Sequence, residues 1–409
     1  MKFGIRSNQV KVAALTCSLF LTACSDSNSS NVGTPSLNGD FQAAIVGTSA
    51  SSSEISLANT ALVDDIETLD IDESAYSYDL INGYEGIDLN DVAVATYGTS
   101  YYRIGRYLQD NITKYSFENP NQPEWQFSVN SEGETGSNPY DILFVSEEKA
   151  YVIRYGSDSI LVIDPSVEFN EEESFKIGEI DLSAYNHAAQ DVPFMSAAVL
   201  NDGKLYVVMQ VMDADWLPSV AKLAIIDTAT DEEIPSSDIT LNVKNPIDLD
   251  VQGDYLYVSG IGRYENNWAN PPTPAEYTGG IEKINLTNFT SELIVDDGDA
   301  DNHPYGQING LVLVSDTLGY FRGYASWGSE SLFQFNPSTG NVVSTPLAGL
   351  SGVDLRVAEL SLEGELWVGI GDDANPEIQI IDPIDNSLIK TIYTDKTPIG
   401  IAFSGNLSE

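Results

Sequence analysis

The chain is short of the residues that most often carry chemistry. Its 409 residues include two cysteines, two histidines and 18 lysines and arginines, set against 62 acidic residues. Both cysteines, Cys17 and Cys24, lie near the start, so no disulfide can staple the remainder and no thiolate site can form there. Two histidines leave little imidazole for general-base work, although carboxylates could take that role. A formal charge of −44 repels nucleic acid and anionic lipid surfaces. There is no Gly-x-Ser-x-Gly elbow, no His-Glu-x-x-His, no phosphate-binding loop and no dinucleotide fingerprint. The motifs that mark the common serine hydrolase, metalloprotease and nucleotide-dependent classes are therefore absent.

The first residues carry a targeting pattern. Lys2, Arg6 and Lys11 precede an apolar stretch, Val12 to Leu21, that is too short to span a bilayer. It ends in Leu21-Thr22-Ala23-Cys24, which resembles the lipobox of bacterial lipoproteins. That resemblance implies cleavage before Cys24 and acylation of its thiol, and Ser25 in the next position implies export to the outer membrane. The expected organisation is a signal peptide over residues 1–23, a Ser/Asn-rich flexible tether over 24–39 and one folded domain over 40–409. Residues 1–23 hold three basic residues and no acidic ones, so their removal leaves a charge of −47. That acidity reads mainly as solubility outside the cell.

Apolar alternation of period two dominates the rest, and one unit recurs. It has a strand, a tight turn, a strand ending in Tyr/Trp-Val, a loop, a strand ending in Asp or Asn, and an outer strand. The clearest copy is Glu365-Leu366-Trp367-Val368-Gly369, then Ile378 to Pro383, then Ser387 to Ile392. Others are Lys204 to Val208 with Leu223 to Thr228, Tyr255 to Val258 with Ile281 to Asn285, Lys149 to Ile153 with Ser159 to Asp164, and Leu318 to Phe321 with Leu332 to Asn336. Val92 to Tyr102 with Ile112 to Phe117 is a less regular first copy.

These units resemble the YVTN-type propeller repeat. A four-stranded sheet with two apolar faces cannot bury both alone, whereas radial stacking buries them and leaves short edges. Six copies lie between about Gly86 and Lys396. A seventh is split: Pro398 to Phe403 reads as an innermost strand without followers, and Phe41 to Val46, Glu54 to Asn59 and Ile66 to Ile71 read as three strands without an innermost partner. The expected fold is an all-β, seven-bladed β-propeller closed by N- and C-terminal strands. An eight-bladed ring or a pair of sandwiches would leave the split copy unexplained.

In a propeller the loop after each second strand lies on the face that carries the blade-to-blade linkers. Five of the six arginines after Cys24 fall at or just beyond a second strand: Arg103, Arg106, Arg154, Arg263 and Arg322. Tyr107, Tyr155, Tyr264 and Tyr324 accompany them, and Trp216, Trp268 and Trp327 occupy the same loops. Guanidinium forks match acidic oxygens and the rings give rigid apolar contact, so the expected ligand is anionic with a flat or aromatic part. The competing expectation is packing, with each arginine paired to a carboxylate such as Asp110, Asp158, Asp213 or Asp215. His187 and His303 fall in linkers on the same face and read as ligand- or solvent-contacting. Asp297-Gly298-Asp299-Ala300-Asp301 spaces three carboxylates as calcium loops do, but Asn302 and Ile308 stand where an EF-hand needs Gly and Glu. A Ca2+ ion there is the one cofactor the sequence suggests, against a plain acidic turn.

Taken whole, the chain is similar to the propeller lipoproteins that accompany TonB-dependent transporters. The resemblance implies an outer-membrane, lipid-anchored protein that binds a ferric siderophore or cobalamin and partners such a transporter. A lactonase-like hydrolase with a metal at the channel mouth, and a protein-binding scaffold, are the other readings.

Overall fold

A computed structural model describes residues 41–48, 53–59, 66–69, 91–235, 239–266, 272–372 and 374–405. Strands β1 (Phe41–Thr48), β2 (Ser53–Asn59) and β3 (Ile66–Leu69) come first and form three-quarters of a sheet. Six four-layered blades follow. Blade 1 is β4 (Val92–Tyr97), β5 (Ser100–Gly105), β6 (Asn111–Ser116) and β7 (Asn119–Ser128). Blade 2 is β8 (Pro139–Ser146), β9 (Lys149–Arg154), β10 (Ser159–Ile163) and β11 (Lys176–Asp181). Blade 3 is β12 (Met195–Asn201), β13 (Lys204–Met209) and β14 (Lys222–Asp227), its outer edge shared by β15 (Glu232–Glu233) and β16 (Ile239–Thr240). Blade 4 is β17 (Pro246–Gln252), β18 (Tyr255–Gly260), β19 (Gly280–Asn285) and β20 (Ser291–Asp296). Blade 5 is β21 (Gln307–Ser315), β22 (Leu318–Ser326), β23 (Ser329–Phe335) and β24 (Ser351–Val353). Blade 6 is β25 (Leu355–Leu360), β26 (Leu366–Ile370), β27 (Glu377–Asp382) and β28 (Ser387–Tyr393). Strand β29 (Thr397–Gly405) then pairs antiparallel with β1, giving blade 7 the order β29-β1-β2-β3. Among the described residues helix is confined to one α-turn, Glu172–Phe175, and one 3-10 turn, Ser183–Tyr185.

The innermost strands touch in sequence around a closed circle, from β4 through β8, β12, β17, β21, β25 and β29 back to β4. The protein is therefore a seven-bladed β-propeller, and the split copy closes it. Adjacent positions of one strand feed opposite faces, as the pleat requires. Leu143 packs toward blade 3, while Ile142 and Phe144 pack toward blade 1. The outcome is seven apolar clusters, one at each interface between blades.

The repeated residues have identifiable jobs. In blades 2 to 6 the acidic or amide residue at the end of the third strand caps the following turn by accepting a backbone N–H. Asp164 accepts from Ser166 at 2.9 Å, Asp227 from Ala229 at 2.8 Å, Asn285 from Thr287 at 2.9 Å and Asp382 from Ile384 at 2.8 Å. The tyrosine of the second strand reaches across to the neighbouring blade's turn. Tyr320 Oη donates to Asn386 Oδ1 at 2.6 Å, and Tyr151 Oη donates to Asp231, which Lys149 also pairs at 2.7 Å.

Six of the seven innermost strands carry a bulge near the same end. The register against the second strand slips between Pro139 and Asp141, Met195 and Ala197, Pro246 and Asp248, Ile308 and Leu311, and Leu355 and Val357. In blade 7 the slip leaves out Ile399. Bulges re-aim side chains and sharpen local twist. Here they act at the end of the axis where the wall of the largest cavity among the described residues includes Asn309, Arg356 and Ile399.

Candidate functional site at the mouth of the axis

A cavity of about 1530 Å3 opens at that end. Its wall comes from the loops after the second strands of blades 1, 4, 5 and 6, from the linkers between blades, and from the bulged ends of the innermost strands. Asn309, Arg356 and Ile399 are bulge residues and all three line it. Blades 2 and 3 contribute nothing to the wall.

Five residues expected from the sequence share this wall: Arg106, Tyr264, Arg322, Tyr324 and Trp327. Tyr264 and Tyr324 meet edge to face at 4.5 Å, and burial pushes both phenols up from their ordinary range. Trp327 is exposed and has the Arg356 guanidinium over its ring at 4.7 Å. Each cavity guanidinium is matched to a carboxylate. Arg106 lies 3.4 Å from Asp91, Arg322 lies 3.3 Å from Glu330, and Arg356 lies 2.6 Å from Asp354. Arg322 also donates to the carbonyls of Leu355 at 3.2 Å and Arg356 at 3.0 Å, which ties blade 5 to blade 6. Burial raises the Glu330 carboxyl; Arg322 opposes that rise, as does the amide of Asn309, which donates to Glu330 at 3.1 Å. Glu265, Asp372 and Asp395 add three exposed carboxylates to the rim.

Arg356, Lys396, Tyr277 and Tyr393 were not singled out by the sequence. Arg356 sits on an innermost strand rather than after a second strand, and only its bulge brings it into the wall. Lys396, 3.5 Å from Glu54, and Tyr393 border the linker into the closing strand.

The other expected residues stand elsewhere. Arg154 is fully buried inside blade 2 and lies outside the cavity. It donates to Ser159 O, Val129 O and Ser131 Oγ and forms an ion pair with Glu134 at 2.8 Å. Arg103 is buried and donates to Gln109 at 3.0 Å. Arg263 pairs with Glu276 at 2.8 Å and donates to Pro274 O at 3.1 Å, closing its own loop. Tyr107 is exposed outside the cavity. Tyr155 stacks on Tyr140 at 4.6 Å and donates to Gln210 at 2.8 Å. Trp216 packs on Phe194 at 5.2 Å, on the side of the ring away from the cavity. Trp268 lies outside the described residues, as do Cys24 and the expected tether.

His187 and His303 do not meet. His187 caps a turn, accepting from the Ala189 N–H at 3.3 Å. His303 stacks on Tyr277 at 4.3 Å, with Nδ1 2.9 Å from Asp299 O. The three aspartates expected as a calcium loop diverge. Asp297 is fully buried and accepts from Gly279 N–H at 3.2 Å; Asp299 caps its own turn through Asp301 N–H at 2.8 Å; Asp301 is exposed. Among the described residues no three His, Cys, Asp or Glu side chains converge to hold a metal.

No family model and no curated protein sequence matches the chain. Solved structures do resemble it. A candidate 6-phosphogluconolactonase from Bacteroides fragilis is 11% identical with a TM-score of 0.56, over 91% of this chain and 100% of that one. A second from Bacteroides uniformis is 12% identical with a TM-score of 0.54, over 89% and 100%. The hydrazine synthase of Kuenenia stuttgartiensis is 13% identical with a TM-score of 0.51, over 76% and 88%. At such low identity these likenesses establish the propeller fold and carry nothing about the contents of its mouth.

Proposed function

We propose that the protein is a ligand-binding propeller that captures a large amphipathic small molecule in the mouth cavity. The cavity itself is the observation that carries this reading. Its volume exceeds the roughly 300–1,000 Å3 of ordinary small-ligand pockets, so it suits a ligand larger than a typical metabolite. Rings from Tyr264, Tyr277, Tyr324 and Trp327 supply flat contact, and Arg322 and Arg356 supply donor forks.

A ferric siderophore or a cobalamin combines that size with flat apolar parts and many oxygen acceptors. Joined to the lipobox-like tetrad ending at Cys24, it supports the reading of an outer-membrane lipoprotein that collects such a ligand for a TonB-dependent transporter. The guanidinium groups are already paired, so stacking and hydrogen bonding hold the ligand more than net charge does.

Titration of the purified protein with cyanocobalamin and with a ferric tris-catecholate, followed by tryptophan emission and calorimetry, tests this. Saturable binding to one of them that is lost in Trp327→Ala supports the reading. Failure of both to bind, or undiminished binding in Trp327→Ala, overturns it.

A further inference from the structure

The cavity leaves Trp216 unused. Its indole is 63% exposed, yet it ends a continuous stack that begins at the cavity's edge. The Arg106 guanidinium lies over Tyr140 at 4.1 Å, Tyr140 stacks on Tyr155 at 4.6 Å, Tyr155 meets Phe194 at 5.2 Å, and Phe194 meets Trp216 at 5.2 Å. The indole is thus braced on one side by a ring tilted at 58°, and most of it faces water.

The backbone beneath it is unusual. Phe194, Val211 and Trp216 have φ of 60°, 49° and 59°, the left-handed region that bulky and β-branched residues seldom enter. Three such residues on one blade hold the loop in a conformation it would not take by local preference. Hydrogen bonds fix it further. Trp216 N–H donates to Asp213 O at 3.1 Å, Asp213 Oδ1 accepts from Asp215 and Leu217, and Gln190 donates to Asp213 O at 2.6 Å. The result is a rigid ledge, whereas a free indole on a mobile loop would lose freedom on binding.

Charge identifies what fits. Asp213 and Asp215 precede Trp216 in the same turn, and Asp191 follows Gln190, the residue tied to that turn; Asp191 and Asp215 are exposed. An aromatic face in an acidic turn attracts a guanidinium or ammonium group through the ring quadrupole and Coulomb forces together. The ledge is no enclosure, so it cannot surround a small molecule as a pocket does. A preorganised tryptophan projecting from a polar rim is instead the pattern of an interface anchor. We propose that the Trp216 ledge docks a basic segment of a partner protein, an arginine or lysine side chain lying on the indole within reach of the acidic residues of the same loop cluster.

The test uses the peptide Arg-Gly-Arg-Gly-Arg and calorimetry on the full protein at about 150 mM salt, where distant charges are screened. The expected result is a loss of affinity of about tenfold in Trp216→Ala, with Trp327→Ala unchanged. Trp216→Phe keeps a ring on the same backbone and should stay within about threefold of wild type, which separates recognition from misfolding. Asp215→Asn should weaken binding about threefold. Equal affinity in Trp216→Ala and wild type overturns the proposal. So does an equal loss in Trp327→Ala, equally tight binding of a glutamate-containing counterpart, or free arginine binding as well as the peptide.

Discussion

The two arcs of the propeller mouth use the same residue types for opposite ends. In blades 1 to 3 the guanidinium groups of Arg103 and Arg154 are buried away from the cavity, and the rings of Tyr140, Tyr155 and Phe194 pack on one another. In blades 4 to 7 the rings of Tyr264, Tyr324 and Trp327 stand around an open cavity, with Arg322 and Arg356 in its wall. The clearest pair is Arg154 and Arg322. Arg154 stands three residues after its repeat tyrosine, Tyr151, and Arg322 stands two after Tyr320. Because the pleat alternates, that one-residue offset puts the two side chains on opposite faces of their blades. One arginine is locked against the linker between blades 1 and 2, and the other lines the mouth cavity.

That contrast can be broken most sharply at Arg154. Arg154→Ala leaves Glu134 and the Ser159 carbonyl facing an empty buried space, and urea unfolding should show a loss of about 3–5 kcal/mol. Ligand binding by the fraction that remains folded should be unchanged. A variant that keeps its stability but loses binding would erase the distinction between the arcs.

Next in size is Asp297, a buried carboxylate under the cavity wall that burial pushes up to about 7. An unfolded Asp ionises near 4, so this group weakens the fold as pH rises from there to 7 and has no effect below. Asp297→Asn should therefore gain on the order of 3 kcal/mol at about pH 8, and the gain should vanish near pH 3. A pH-independent difference in urea midpoints would refute the assignment.

Within the cavity arc, Arg356→Ala should weaken the ligand that binds by about tenfold while changing stability by less than about 1 kcal/mol, since that guanidinium is partly exposed and its pair is a surface one. The smallest effect is expected at the cross-blade contact: Tyr320→Phe removes the hydrogen bond to Asn386 and should cost about 1 kcal/mol, read as a midpoint shift.

The blade count and the split seventh blade were legible in the sequence because they depend on period-two alternation and on the Tyr-Val and Ile-Asp punctuation, both local. The face that gathers the site was legible too, since it follows from strand order. Membership of the cavity was not. Arg356 enters through a bulge, and a bulge is set by how the second strand pairs, which no residue type announces. Arg154, Arg322 and Arg263 look alike in a list of strand ends, yet a one-residue difference in offset, or the loop closure by Glu276, sends each somewhere different. The aspartates of residues 297–301 have calcium-like spacing, but Gly298, at φ 96°, turns the chain so that Asp297 faces inward.

The pairing of β29 with β1 has a bearing on how the molecule comes to exist. Thr397 and Ile399 belong both to that closing strand and to the cavity wall. During synthesis the closing strand emerges after every other strand of the ring, and its residues are the ones that finish the pocket. Until they arrive, β1 presents an open edge to whatever surrounds the growing chain, and the cavity wall lacks Thr397 and Ile399. Occupancy of the mouth would thus report a completed ring, so a ligand added during refolding should favour circles already closed over open ones.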